Sequence, residues 1–496
     1  MLPASPDHES NVTLESERSG VIEDVPFRIL VIGDWSGDGS IGLPARPIEI
    51  DRDNFSDVMG RFGVSLDLDV RDTSLRITFE SIDDFHPDRL FERLDEFSEL
   101  RELRVSLLDS DSYEQAAARV RAWSAGLQGV VDSEQDAVPA MSESGTADLL
   151  DAILSGGKNT AAARGAEPAS PVSELVRELV RPHILRIDEG EQTELLAAVD
   201  LAISDLMREI LHDRRFQALE ASWRGLYFLV RRADTNSELK ISVIDTSKEE
   251  LLGDLRSVND LRDSALHRAL AADDVEWAVL AGNYAFQPTS NDVAGLIRLS
   301  RIAESFDAPF ISHMRPEVIG VHSLAGHTEA REWSLSTDSD EGKLWAALRG
   351  LPESRYLGLA IPRFLARVPY GIESDALETF EFEEFTGQPE HDDYVWANPA
   401  FAVTLLLAQS FSNSGWDLGT AFAQDLENMP IHIYKHNEDT IYQPCAEVQL
   451  TQDACEKLME FGLIPLISYK NSDLVKVGRF QSITDPVTGL QGKWGR

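Results

Sequence analysis

The stretch Phe216–Asp234, FQALEASWRGLYFLVRRAD, leaves this chain few choices of architecture. Phe216, Leu219, Trp223, Leu226, Tyr227 and Val230 recur at helical spacing, which gathers them on one face of a helix. Arg214, Arg215, Arg231 and Arg232 bracket that face. Leu239–Ile244 follows as a strand-like run, and Thr246-Ser247-Lys248-Glu249 predicts the next helix start, with Glu249 closing a capping box on Thr246. These residues specify a large helix packed on a sheet. None of them is chemically reactive.

The rest of the C-terminal region agrees with that shape. Helical spacing predicts helices around Val172–Val180, Thr193–Asp213 and Ser290–Phe306, and apolar runs predict strands at Trp277–Ala281, Ala308–Ser312 and Arg355–Ala360. Strands separated by helices predict an α/β fold with a parallel or mixed sheet flanked by helices.

Nearer the N-terminus, residues 1–25 lack periodicity and predict a disordered acidic tail. Phe27–Gly33 then reads as a short apolar strand, and two familiar motifs follow it. Gly37, Gly39 and Gly42 match the dinucleotide fingerprint in spacing, but Pro44 and Pro47 stand where the phosphate-facing helix must begin. Asp34, Ser36, Asp38, Gly39 and Ile41 fall at calcium-loop positions. The last position of that loop is Ala45, where a bidentate Glu is required, so a Gly-rich turn is expected instead. Leu75–Phe79 predicts a further strand, and residues 87–100 and 112–127 predict helices.

Residues 129–147 and 155–172 are rich in Gly, Ala, Ser, Pro and acid and predict linker. Between them Ala147–Leu154, ADLLDAIL, is a short amphipathic helix in polar chain. It suits either docking on its own domain or capture in another protein's groove.

Composition excludes several functions. The chain has 496 residues with 45 basic and 86 acidic side chains, a net charge of −41. Such a chain repels nucleic acid and anionic lipid. It also means that any assembling copy must offer at least one less acidic face. There is no apolar run of about 18 residues to cross a membrane and no secretory leader pattern, and two unpaired cysteines fit a reducing compartment; cytoplasmic residence is the expectation. Catalytic sets are poor. His432 and His436 have no Glu between them, His322 and His327 lie on a Gly-containing loop, and Cys445 and Cys455 lack sequence partners. Arg363 and Arg367 are expected on one helical face, as intermolecular or interdomain salt-bridge donors or as a solvated surface.

The blocks F-x-x-L-E-x-x-W-R-G-L at 216–226, A-G-N-Y-A-F-Q-P-T-S-N-D at 281–292, R-Y-L-G-L-A-I-P-R-F-L-A-R-V-P-Y-G at 355–371 and H-D-D-Y-V-W-A-N-P-A-F-A at 391–402 resemble, in order and spacing, the large subunit of the bacterial type VI secretion contractile sheath. F-R-I-L-V-I-G-D-W-S-G at 27–37 and P-I-E-I-D-R-D-N-F at 47–55 resemble the opening of its small subunit. The resemblance implies a contractile-sheath-like α/β protein with two fused parts. Residues 26–128 are small-subunit-like, 129–172 are linker with the 147–154 helix, and 173–496 are large-subunit-like. Trp223, Arg224, Gly225, Pro362, Arg363, Phe364, Trp396 and Asn398 are its signature structural residues.

The resemblance further implies a non-catalytic assembling protein with no cofactor and no metal. Its partners would be other sheath subunits, the inner tube protein, an AAA+ ATPase that recycles contracted sheath, and the baseplate. Leu149, Leu150, Ile153 and Leu154 match the helix that such an ATPase recognises. The family's C-terminal segment, which shares a strand between neighbours, has no counterpart before Arg496; a monomer or small oligomer in isolation is therefore expected. Other readings are an adaptor at an end of the apparatus and a nucleotide-binding enzyme using the Gly33–Gly42 loop.

Overall fold

A computed structural model describes residues 25–38, 46–71, 73–121, 192–327, 329–418, 422–437 and 439–495. The expected segments at 1–24, 39–45 and 122–191, which include the 147–154 helix, lie outside the described residues.

Seven consecutive residues, Phe27–Gly33 (β1), form an interior strand, third from one edge, of a nine-stranded sheet. The other strands are Ile48–Ile50 (β2), Leu239–Asp245 (β5), Val279–Phe286 (β6), Phe310–Met314 (β7), Leu357–Ile361 (β8), Asp425–Leu426 (β11), Ile464–Ser468 (β14) and Val475–Val477 (β15). Their spatial order is β11-β15-β14-β8-β7-β6-β1-β5-β2. β1 runs parallel to β5 in register from Phe27↔Leu239 to Gly33↔Asp245, and parallel to β6 from Ile29↔Val279 to Ile32↔Gly282. The six strands from β14 to β5 are parallel, and β15, β11 and β2 add antiparallel edges.

β1 reads as an unbroken apolar run because both of its faces are covered. Phe27, Ile29 and Val31 enter one core and Leu30 and Ile32 the other. The first core holds Gln192–Leu211 (α4), Arg214–Arg232 (α5) and Pro399–Ser414 (α10). It also holds the N-terminal elements Phe55–Phe62 (α1), the hairpin Ser65–Val70 (β3) and Thr73–Thr78 (β4), Pro87–Arg93 (α2) and Ser98–Leu108 (α3). The second core is built by Lys248–Ser257 (α6), Ala265–Leu270 (α7), Ser290–Phe306 (α8), Asp340–Arg349 (α9) and Gln452–Glu460 (α11). Three small two-stranded sheets complete the structure: β3–β4; Phe364–Leu365 (β9) with Trp396–Ala397 (β10); and His432–His436 (β12) with Asp439–Gln443 (β13). No helix among the described residues is long and apolar enough to cross a membrane.

Several boundaries differ from expectation for local reasons. α5 begins at Arg214 because Asp213 accepts from the backbone N–H groups of Arg215 and Phe216. The capping box before α6 is Ser247 with Glu250, one residue later than expected, because Thr246 is fully buried and its N–H is spent on the Gly33 carbonyl. The helix expected at 87–100 breaks at Leu94, which is extended; Phe97 turns into the core and α3 restarts at Ser98. The expected 112–127 helix is helical over 113–121 as far as it is described. The D-R-D-N-F box is a reciprocal turn: Asp51 Oδ1 accepts from Asp53 N and Asn54 N, and Asn54 Oδ1 accepts from Asp51 N, which sets up α1.

Candidate functional site

The joint between the N-terminal elements and α5 is built on two of the signature residues, Trp223 and Gly225. The chain leaves β1 through Asp34 and turns Trp35 into the core, where it is fully buried. Trp35 Nε1 donates to the Ile244 carbonyl at 2.9 Å, and Trp223 Nε1 donates to the Trp35 carbonyl at 2.9 Å. The two indoles meet edge to face at 5.5 Å, and Phe55 packs on both Trp223 and Tyr227. Gly225 lets α10 approach α5: a Cβ there would lie 2.4 Å from the Phe401 ring.

The described start of this turn, residues 34–38, offers an anion little. The backbone N–H groups of Trp35 and Ser36, which an anion would need, both donate to Asp245 Oδ1 at 2.7 and 3.3 Å. Asp34 itself is pushed up to about 6, by burial first and by the Asp245 charge second. Asp38, the third calcium-type position, is engaged by the Arg215 guanidinium and by Asp67 N. Among the described residues no cluster of three His, Cys, Asp or Glu is arranged to hold a metal.

A second cluster lies under α5. Arg367 is buried and donates to Glu220 at 2.7 Å and to Glu384 at 2.7 and 3.0 Å. Arg224 donates to Glu220 at 2.7 Å and to Tyr370 Oη at 2.8 Å, and Tyr370 N donates to Glu384 at 2.8 Å. Burial works to raise the Glu220 pKa, but Arg367 and Arg224 override it and hold the carboxyl below its usual range. Two guanidiniums and two carboxylates thus cancel inside the core, tying α5 to the 367–384 segment.

Arg363 and Arg367 therefore do not share a helical face. Phe364 and Leu365 are extended, since Leu365 N and Ala366 N bond to the carbonyls of Cys445 and Val395, and each arginine pairs within the chain. Arg363 grips Glu447 through Nη2 and Nε at 2.6 and 3.2 Å. His391 Nε2 lies 2.8 Å from the same carboxylate without hydrogen-bond alignment. Burial opposes ionisation of Glu447, yet His391 and Arg363 draw its pKa well below the usual carboxylate range.

The remaining signature residues are structural as well. Pro362 follows Ile361 through a cis bond, and Phe364 packs on Phe228 at 5.1 Å. Trp396 stacks on His391 at 5.4 Å and donates to its carbonyl. Asn398 caps α10 and reaches across to the Tyr284 carbonyl in β6 at 2.9 Å. Leu149, Leu150, Ile153 and Leu154 lie outside the described residues.

His432 is buried against Tyr394 Oη at 2.9 Å, and burial drops its pKa to about 4. It shares no cluster with His436, which sits beside Asn437. Cys445 and Cys455 are buried, and burial raises both thiols, to about 12 and about 11. Neither is poised as a nucleophile.

Sequence reasoning missed Glu220, Glu384, Tyr370, Asp245 and Glu447. For Glu220 a signal existed: it lies four residues after Phe216 and three before Trp223, on the apolar face. The others gain their roles only through distant pairings.

Two family models match the chain. Residues 193–484 match VipB, described as EvpB/VC_A0108, tail sheath N-terminal domain. Residues 6–139 match the type VI secretion system family VipA, VC_A0107 or Hcp2. The type VI secretion system sheath protein TssC1 of Pseudomonas aeruginosa is 31% identical over 342 residues, which cover 64% of this chain and 69% of that protein.

Proposed function

Because the chain belongs to the VipB tail sheath family, we propose that it is a structural subunit of a type VI secretion contractile sheath that carries its small-subunit-like partner in the same polypeptide. One observation supports the fused reading above the rest. β1, from the VipA-matched stretch, lies between β5 and β6, from the VipB-matched stretch, with seven residue pairs on one side. Joining two such parts covalently replaces a bimolecular association by an intramolecular one at an effective concentration of roughly millimolar. The proposal keeps the division of the sequence into a small-subunit-like part at 26–128, a linker at 129–172 and a large-subunit-like part at 173–496.

Catalysis is no part of this reading. Glu220, Glu384 and Glu447 are engaged by buried or half-buried arginines, and the N–H groups of Trp35 and Ser36 after β1 are taken by Asp245. Other sheath subunits are the partners that the family supplies; the inner tube, the baseplate and an AAA+ ATPase docking on Leu149, Leu150, Ile153 and Leu154 complete the proposal, with the cytoplasm as its place of work. Mass spectrometry of contractile sheaths purified from the source cells tests it. The chain is expected at a stoichiometry comparable to the main sheath subunits, and its absence from intact sheaths contradicts the assignment.

A further inference from the structure

A cleft of about 530 Å³ opens at the carboxyl ends of three adjacent parallel strands, where Ala285 of β6, His313 of β7, Arg315 just after β7 and Arg363 after β8 meet Arg214, His322, His391 and Asp392. Its lining departs from the rest of the chain. In a protein with 86 acidic and 45 basic residues, three arginines meet only three carboxylates here, Glu390, Asp392 and Glu447, so the lining is balanced where the chain as a whole is strongly acidic. Two of the arginines also face outward: the side chains of Arg214 and Arg315 are 68% and 47% exposed.

The carboxylates of the cleft are already engaged within the chain. Glu447 is buried beneath Arg363 and His391. Asp392 holds Arg214 at 2.8 Å, and the Glu390 side chain caps its own turn. Glu317, beside Arg315 at 3.1 Å, accepts from Gln287. A guanidinium carries five N–H donors, so one carboxylate contact leaves Arg214 and Arg315 with further donors on side chains that are largely exposed. Arg363 behind them is fixed and neutralised by a two-point grip on Glu447 and forms the floor of the cleft.

We propose that this cleft receives acidic side chains from a second copy of the chain, as one of the copy-to-copy contacts of the assembly; this rests on the sheath reading above. A repeating lattice of a chain at −41 brings like-charged surfaces together, and they attract only where one copy turns cations outward. The exposed carboxylates of Glu373, Asp375 and Glu378 illustrate what the neighbouring copy offers. A carboxylate entering the cleft pairs with Arg315 and Arg214 as their present partners do.

Sedimentation velocity of the full chain tests this, at about 50 mM and about 500 mM salt, between which exposed charge pairs are increasingly screened. The wild type is expected to self-associate at low salt and to dissociate at high salt. Arg315→Glu should weaken the association at least tenfold, and His322→Glu, at an exposed position without structural duty, should weaken it in the same direction. Association of both variants at wild-type strength overturns the proposal. So does a wild type that stays monomeric at low salt. Citrate is the third arm: if it raises the melting temperature of the wild type but not of Arg315→Glu, and leaves self-association untouched, the cleft is a small-anion site and the proposal falls. Failure here is distinguishable from failure of the sheath reading, because the presence of the chain in purified sheaths does not depend on which face its copies share.

Discussion

Trp223 Nε1 donates to the carbonyl oxygen of Trp35 across 188 residues of chain, at 2.9 Å and fully buried. That single bond joins the turn leaving β1 to the centre of α5, and the Trp35 indole returns the contact through β5 at the Ile244 carbonyl. Each end of α5 is fixed as well. Arg215 reaches Asp38 and the Asp67 carbonyl, while Arg232 reaches the Glu427 carbonyl at 2.7 Å. Trp223→Ala should therefore cost about 3–5 kcal/mol from lost packing, and Trp35→Phe about 1–2 kcal/mol from one lost hydrogen bond and the packing around it. Urea denaturation of the full chain measures both, and a Trp223→Ala loss below that of Trp35→Phe contradicts this ranking.

Arg367 bridges two buried carboxylates, so removing it leaves Glu384 without a guanidinium and Glu220 with Arg224 alone. Arg367→Leu is expected to destabilise by about 3–5 kcal/mol at neutral pH. Adding Glu384→Gln should recover part of that loss, which a double-mutant cycle reads directly. Simple additivity would show that the two side chains are not coupled.

Asp34 gives a pH dependence of opposite sign to the ordinary paired carboxylate. Its pKa in the folded chain is about 6 against the ordinary 3.8, so between those values the folded state holds the proton more tightly than the unfolded one. Its contribution to stability is therefore lost as pH rises through about 6 and regained as pH falls. Asp34→Asn should stabilise the protein at pH 8 by about 1 kcal/mol, allowing for solvent screening of a partly exposed group, and should be neutral near pH 4. Equal effects at both pH values would show that ionisation of Asp34 is not the cause.

β1 is buried on both faces and paired along both edges, so its place in the sheet should survive a cut in the connecting chain. With a protease site placed among residues 155–172, the cleaved halves are expected to co-elute through size exclusion. Separation under native conditions would show that the covalent link, not the sheet, holds them together.

Much of this was legible in the sequence. The α5 face, β1 and α8 follow from local periodicity, and Phe27–Gly33 and Ser290–Phe306 were found at their expected bounds. Insertion of β1 between β5 and β6 was not legible, because strand pairing between residues some two hundred apart leaves no local trace. The same holds for Arg363 and Arg367. Their spacing suits a helix, but the acids that fix them, Glu447, Glu220 and Glu384, are brought in by the sheet and by α5. Where sequence motifs suggested a ligand after β1, the structure places Asp245, a residue whose role depends on the neighbouring strand.

Electron microscopy of the chain co-expressed with the sheath proteins encoded beside it tests the central claim most directly. A sheath subunit should appear in long hollow tubules of regular helical repeat, with the chain present along their length. Regular tubules that exclude the chain, or only discrete particles carrying a bound nucleotide or cofactor, would contradict it.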